Sequence, residues 1–251
     1  MKKSKHSLLA RTRHRHMLAV FLVVVVALQL TAPKLWAIPF GKTKIIIDVN
    51  ATAGDAGIQI SVDATGWTRL EVFDPKGLKI FEGSGDGSVG LQGVTELFFE
   101  SAEPSFDDLS LQELFDRFPK GMYTFVGVTT DGQTLTGKAP FNHFIPDEPT
   151  IVSPTEGAAV NPNLPVVIDW GPVTAPFPGT GPGLKIVRYQ VIVERVKPQP
   201  LLVFSVDLPA SVTQVTVSPE FLQANADYNI KVLAIEAGGN QTIAERKFKT
   251  Q

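Results

Sequence analysis

The chain has 251 residues, 43% hydrophobic and 19% charged, a globular composition with room for two domains of ordinary size. It contains no cysteine, which excludes disulfides, thiolate nucleophiles, cysteine-held metals and lipid-modified cysteine. Seven of the 23 basic residues and none of the 25 acids lie before residue 38, so the remainder carries a formal −9, an argument against nucleic acid or anionic lipid as its partner. The imbalance is local: residues 38–148 hold 8 basic against 17 acidic side chains, residues 149–251 hold 8 of each.

Lys2, Lys3, Lys5, Arg11, Arg13 and Arg15 precede an unbroken apolar run from Met17 to Leu28, then Pro33 and Leu35-Trp36-Ala37. That layout predicts a signal peptide over residues 1–37, with an uncleaved membrane anchor as the alternative. Spanning a bilayer takes about 17–25 apolar residues, more than this run supplies. The expected product is exported, periplasmic or secreted, with no membrane association after cleavage.

Beyond the cleavage position the pattern is that of short strands. Ile45, Ile47, Val49 and Ala51 alternate with Ile46, Asp48 and Asn50, and after Gly54-Asp55-Ala56-Gly57 so do Ile58, Ile60, Val62 and Ala64 with polar neighbours. Leu70 to Phe73 and Leu78 to Phe81 flank Asp74-Pro75-Lys76-Gly77, a turn in which proline fixes φ and glycine tolerates its positive value. Gly83 to Gly93 holds five glycines but no lysine followed by Ser or Thr, so it reads as a flexible surface connection, not a phosphate cradle. Ser110-Leu111-Gln112-Glu113 has capping-box spacing, and Leu111, Leu114, Phe115 and Phe118 recur at helical intervals before Pro119. These predict one short helix near 110–118. Met122 to Thr129 and Gln133 to Lys138, joined at Asp131-Gly132, complete a β-sandwich domain over 38–145.

A proline-restricted linker, 146–149, leads to a second module over 150–251. Within it Val187 to Glu194 and Tyr228 to Ile235 alternate over eight residues each, as central strands of a sandwich do. Trp170, Tyr189-Gln190-Val191, Leu208-Pro209-Ala210-Ser211, Tyr228 to Ile235, the Gly238-to-Thr242 turn and Phe248 stand in the order seen in fibronectin type III domains, and residues 149–251 resemble that family. The resemblance implies that Trp170 is buried on the second strand, that Tyr189 packs on the third, and that Tyr228 makes the corner bond of the sixth. Gly171 to Gly183, with prolines at 172, 176, 178 and 182, is longer than the family usually has between its second and third strands. The fold class is therefore all-β, two tandem immunoglobulin-like or fibronectin type III-like sandwiches after a signal peptide. The first resembles such sandwiches in architecture alone.

Chemistry is sparse. His143 is the one histidine after residue 37 and reads as a partly exposed linker side chain. The acidic series Glu96, Glu100, Glu103, Asp107 and Asp108 lacks the Asp/Asn/Gly spacing of a calcium loop and reads first as a solvated loop, then as a weak calcium site, and last as the carboxylates of a hydrolase. Asn50-Ala51-Thr52 and Asn240-Gln241-Thr242 match the glycosylation sequon. Trp67, at a strand entry, and Phe177 with Pro178, in the Pro/Gly loop, are candidate contact surfaces; for Trp67 core burial is the first reading and the contact ring the second. No catalytic residue, metal or cofactor is assigned. The expected function is that of an exported, non-catalytic binding or structural protein of the bacterial envelope or exterior, with a protein partner. A carbohydrate-binding role through Trp67 or Phe177 is the alternative.

Overall fold

The alternation at Ile58–Ala64 and again at Leu70–Phe73 belongs to one long strand. In the computed structural model, which describes residues 36–251, β1 (Ile38–Pro39) and β2 (Lys42–Asn50) are followed by β3 (Asp55–Phe73), 19 residues in all. Then come β4 (Lys79–Ser84), α1 (Gly87–Gln92), β5 (Val94–Glu100), α2 (Leu111–Arg117), β6 (Gly121–Thr129) and β7 (Thr134–Phe141). The segment read as a signal peptide lies, except for its last two residues, outside the described residues. No helix among the described residues is long and apolar enough to cross a membrane.

The first half of β3 pairs with β2 on one side and β5 on the other. After a register shift between Asp63 and Trp67 its second half pairs with β6 and β4 instead. Ile58, Ile60 and Val62 from the first half and Trp67, Leu70 and Val72 from the second enter the same core. One strand thus serves both layers of the first sandwich. Each fully buried aliphatic chain contributes about 1.5–3 kcal/mol relative to exposure.

Helix α2 forms as its sequence predicts. Ser110 accepts a hydrogen bond from the Glu113 amide while the Glu113 carboxylate accepts from the Ser110 amide, and Leu114 is buried in the core. The expectation of a single helix is corrected by α1, inside the glycine-rich stretch. No residue of α1 is buried, and Leu91 is 88% exposed. It is held by local turn bonds, Gly90 N–H to Asp86 O and Gly93 N–H to Val89 O, so no apolar periodicity announces it.

The second sandwich comprises β8 (Ile151–Ser153), β9 (Ala158–Val160), β10 (Val166–Trp170), β11 (Ile186–Lys197), β12 (Leu202–Pro209), β13 (Gln214–Val217), β14 (Asp227–Glu236) and β15 (Gln241–Thr250). One sheet runs β13-β10-β8 and the other β15-β14-β11-β12, with β9 parallel to the end of β15. This is the strand order of a fibronectin type III sandwich. Trp170, Tyr189 and Tyr228 are each 1% exposed. The Tyr228 hydroxyl accepts from the Gln223 amide at 2.8 Å, and the Tyr189 hydroxyl accepts from the Val173 amide at 2.8 Å. Each ring fills the core while its oxygen keeps a backbone partner.

Candidate functional site

The feature that sets this chain apart from two beads on a string is the seam between its sandwiches. Strand β2 runs parallel to β15, pairing Asp48, Val49 and Asn50 with Gln241, Thr242 and Ile243, so a single hydrogen-bonded sheet continues from one sandwich into the other. The Ala51 amide donates to Ile243 O at 3.0 Å, and the Glu245 amide donates to Thr52 Oγ1 at 2.8 Å.

Asn240 closes the end of this seam. It is 1% exposed. Its Oδ1 accepts from the Ile47 amide at 2.9 Å, and its Nδ2 faces Asn142 Oδ1 at 2.8 Å, Phe144 O at 2.9 Å and Asn142 O at 3.1 Å. One amide therefore bonds β2 and the interdomain connector together. Thr242, fully buried, donates to Pro146 O at 2.6 Å. The preceding turn needs glycine: a Cβ on Gly238 would lie 2.3 Å from Asn142 Nδ2, and Gly239 has φ +100° with Lys44 pressed against it. Such burial leaves no room for a glycan on Asn240, so that sequon is not usable in the folded chain. At the other sequon, Asn50 Nδ2 donates to Glu245 Oε1 at 3.0 Å.

The long Gly171–Gly183 loop supplies the second clamp. Phe177 is partly buried against the core of the first sandwich, 5.9 Å from the Phe106 ring, and its amide donates to Ile145 O at 2.9 Å. Asp147 N–H donates to Ala175 O at 3.0 Å, and Pro146 and Pro176 form an antiparallel bridge. The connector is thus held by the loop on one side and by β15 on the other.

These positions place the two candidate contact rings. Trp67 is 3% exposed. It sits where β3 passes from one set of partners to the next and packs into the first core, so it offers no contact surface. Phe177 is a contact residue, but the surface it meets belongs to its own chain. Pro178 beside it remains exposed.

His143 stacks on Phe115 with centroids 4.0 Å apart, meets Phe141 edge-on, and bonds Phe118 O through Nε2 at 2.9 Å. Burial pushes its pKa below the ordinary value, with Lys120 adding to the shift and the Phe118 bond opposing it. The ring is a packing element whose Nε2 is already engaged.

The acidic series divides. Glu100, at the end of β5, and Glu103, just after it, converge on Asp48, carboxylate oxygens of all three lying within 4.8 Å of one another. Glu96, Asp107 and Asp108 are not in the group. Asp48 is 4% exposed, and its carboxyl is pushed up to about 7, chiefly by burial and then by Glu103, Glu100 and Asp55, with Gln241 working against the shift. Gln59 Nε2 bridges Asp48 Oδ2 at 2.6 Å and Glu100 Oε1 at 2.7 Å. Asp48 is the partner that sequence reasoning missed. Its signal is the run Ile45-Ile46-Ile47-Asp48-Val49, buried without a break, which marks a strand covered on both faces and flanked by more than one neighbour.

No protein-family model and no curated protein matches the sequence. Among solved structures it is similar to chicken CNTN1 FN1-FN3 domains, at 10% identity over 85% of this chain and 68% of that one, with a TM-score of 0.32. It is also similar to a two-domain fibronectin type III segment from chicken tenascin, at 15% identity over 83% of this chain and 99% of that one, with a TM-score of 0.28.

Proposed function

We propose that this chain is an exported, non-catalytic binding or spacing protein whose two sandwiches act as one rigid body toward a protein partner outside the cytoplasm. Sandwiches of the fibronectin type III kind are commonly binding or structural modules. The observation that carries the reading is the seam, in which strand pairing, the Asn240 bonds and the Phe177 clamp tie the two sandwiches together. A pair tied in this way holds its outer edges at a fixed separation, which suits a spacer or a two-sided binder.

Support for export is the basic, then apolar, amino-terminal pattern. Support for protein contact is β12, bonded to β11 alone among the described strands, where Leu202 and Val203 are 41% and 52% exposed. An edge strand of this kind can accept a strand from another chain. The carbohydrate reading loses the two rings it relied on, Trp67 and Phe177, to the core and to the seam.

A photo-crosslinking amino acid at position 203, in the chain expressed in its native host, tests this. We expect one recurrent protein species captured from the exported fraction, and none from the same group at position 78, which is exposed on the first sandwich. Equal capture from both positions, or recovery of the unprocessed chain in the cytoplasm alone, counts against the proposal.

A further inference from the structure

The geometry points to a divalent cation site of the calcium class, formed by Asp48, Glu100 and Glu103 where β2 and β5 flank β3, beside the seam. Three carboxylates approach within 4.8 Å. Among the described residues, no lysine or arginine forms an ion pair with any of them; Lys231, whose charge reaches Glu103, is paired with Glu194 at 3.3 Å. The neutral Gln59 amide bridges two of the carboxylates and balances none of their charge.

The second observation is Asp48 itself. Its side chain is buried, its residue 4% exposed, and its Oδ1 has no hydrogen-bond partner. Leaving a carboxyl oxygen unsatisfied in a protein interior is costly, and such oxygens are ordinarily paired or bound to a metal. Asp48 belongs to the group that also holds the Glu100 and Glu103 oxygens. Hard cations of this class bind oxygen at about 2.3–2.6 Å, so two ligands on opposite sides of one ion stand about 4.6–5.2 Å apart. The observed spacing fits oxygens arranged around a common centre.

Backbone and side chains are shaped for the approach. Gly57 stands opposite Asp48 in register, and a Cβ there would meet Glu103 Cγ at 2.8 Å. Glycine there leaves the space in which Glu103 lies across β3. Glu100 and Glu103 are exposed on their outer side, which leaves room for the waters that complete a six- to eight-fold oxygen shell. Calcium tolerates that irregular arrangement, whereas magnesium demands a near-ideal octahedron. Because Asp48 pairs with Gln241 of the second sandwich, an ion here would also stiffen the seam.

Isothermal titration of the EDTA-stripped chain with CaCl2, alongside thermal melts, tests the site. We expect one ion per chain with Kd on the order of 10⁻⁴–10⁻³ M, the range of extracellular calcium modules, and a rise in Tm on saturation. Glu103→Gln, on the exposed side and compatible with folding, should weaken binding at least about tenfold, the effect of losing one charged ligand. Asp48→Asn should raise Tm in EDTA, by relieving repulsion, and abolish the calcium response. Absence of saturable heat up to about 10 mM CaCl2, well above that Kd range, or equal binding by wild type and Glu103→Gln, overturns the assignment.

Discussion

Replacing Asn240 with alanine removes both sides of one buried amide. Ile47 N–H loses its acceptor, and the Asn142 and Phe144 carbonyls lose a shared donor, at a position 1% exposed. A buried group left unsatisfied costs about 1–3 kcal/mol, and two such groups bring the loss to about 2–6 kcal/mol. In a chain of this size each kcal/mol lowers Tm by about 2–4 °C, so the expected drop is about 10 °C. Scanning calorimetry reads it: wild type should melt in one transition and Asn240→Ala earlier, with the transition broadened or split as the sandwiches uncouple. Asn240→Asp keeps the acceptor for Ile47 N–H but turns an oxygen toward the carbonyls of Asn142 and Phe144, so it should be at least as damaging. A fall of less than about 2 °C in Asn240→Ala, with the transition unchanged in shape, refutes the reasoning that this amide holds the seam.

Phe177→Ala strips the ring that the loop lays on the first core, and as a half-buried truncation it should cost about 1–3 kcal/mol; cleavage within 171–183 by limited proteolysis should accelerate, and an unaltered rate would show that the ring does not hold the loop. Tyr228→Phe leaves Gln223 N–H without its acceptor and should lower stability in denaturant titration by about 1–2 kcal/mol with unchanged slope. For His143 the folded pKa is depressed, so its contribution is full above the unfolded value of about 6.5 and is lost as pH falls through the folded one. The Tm advantage of wild type over His143→Gln should therefore shrink from about pH 7.5 to about pH 5, and an advantage that grows on acidification contradicts the burial argument.

Much of this fold is legible residue by residue. Ser110 and Glu113 announce α2 because both halves of its cap are local, and Trp170, Tyr189 and Tyr228 are readable because sandwich cores need large rings at spaced positions. What was hidden is non-local. Nothing in Thr65-Gly66 reveals that β3 continues through them, since the strand is sustained by four different partners. Asn240 looks like a turn residue with a sequon, and its real partners lie nearly a hundred or more positions away, at Asn142, Phe144 and Ile47. Phe177 reads as a contact surface on a loop because the core it reaches belongs to the other sandwich. Asp48 reads as the polar face of a strand until the parallel neighbour that covers it is known.

The absence of cysteine makes the rigidity of the seam directly measurable. Paired Lys79→Cys and Ser205→Cys substitutions, on β4 and β12, carry spin labels at the two outer edges for pulsed dipolar spectroscopy. A rigid seam gives one distance, distributed no more broadly than for a control pair within the first sandwich, and a broadened distribution once Asn240→Ala and Phe177→Ala are added. A broad or multimodal distribution in the otherwise wild-type chain would contradict it.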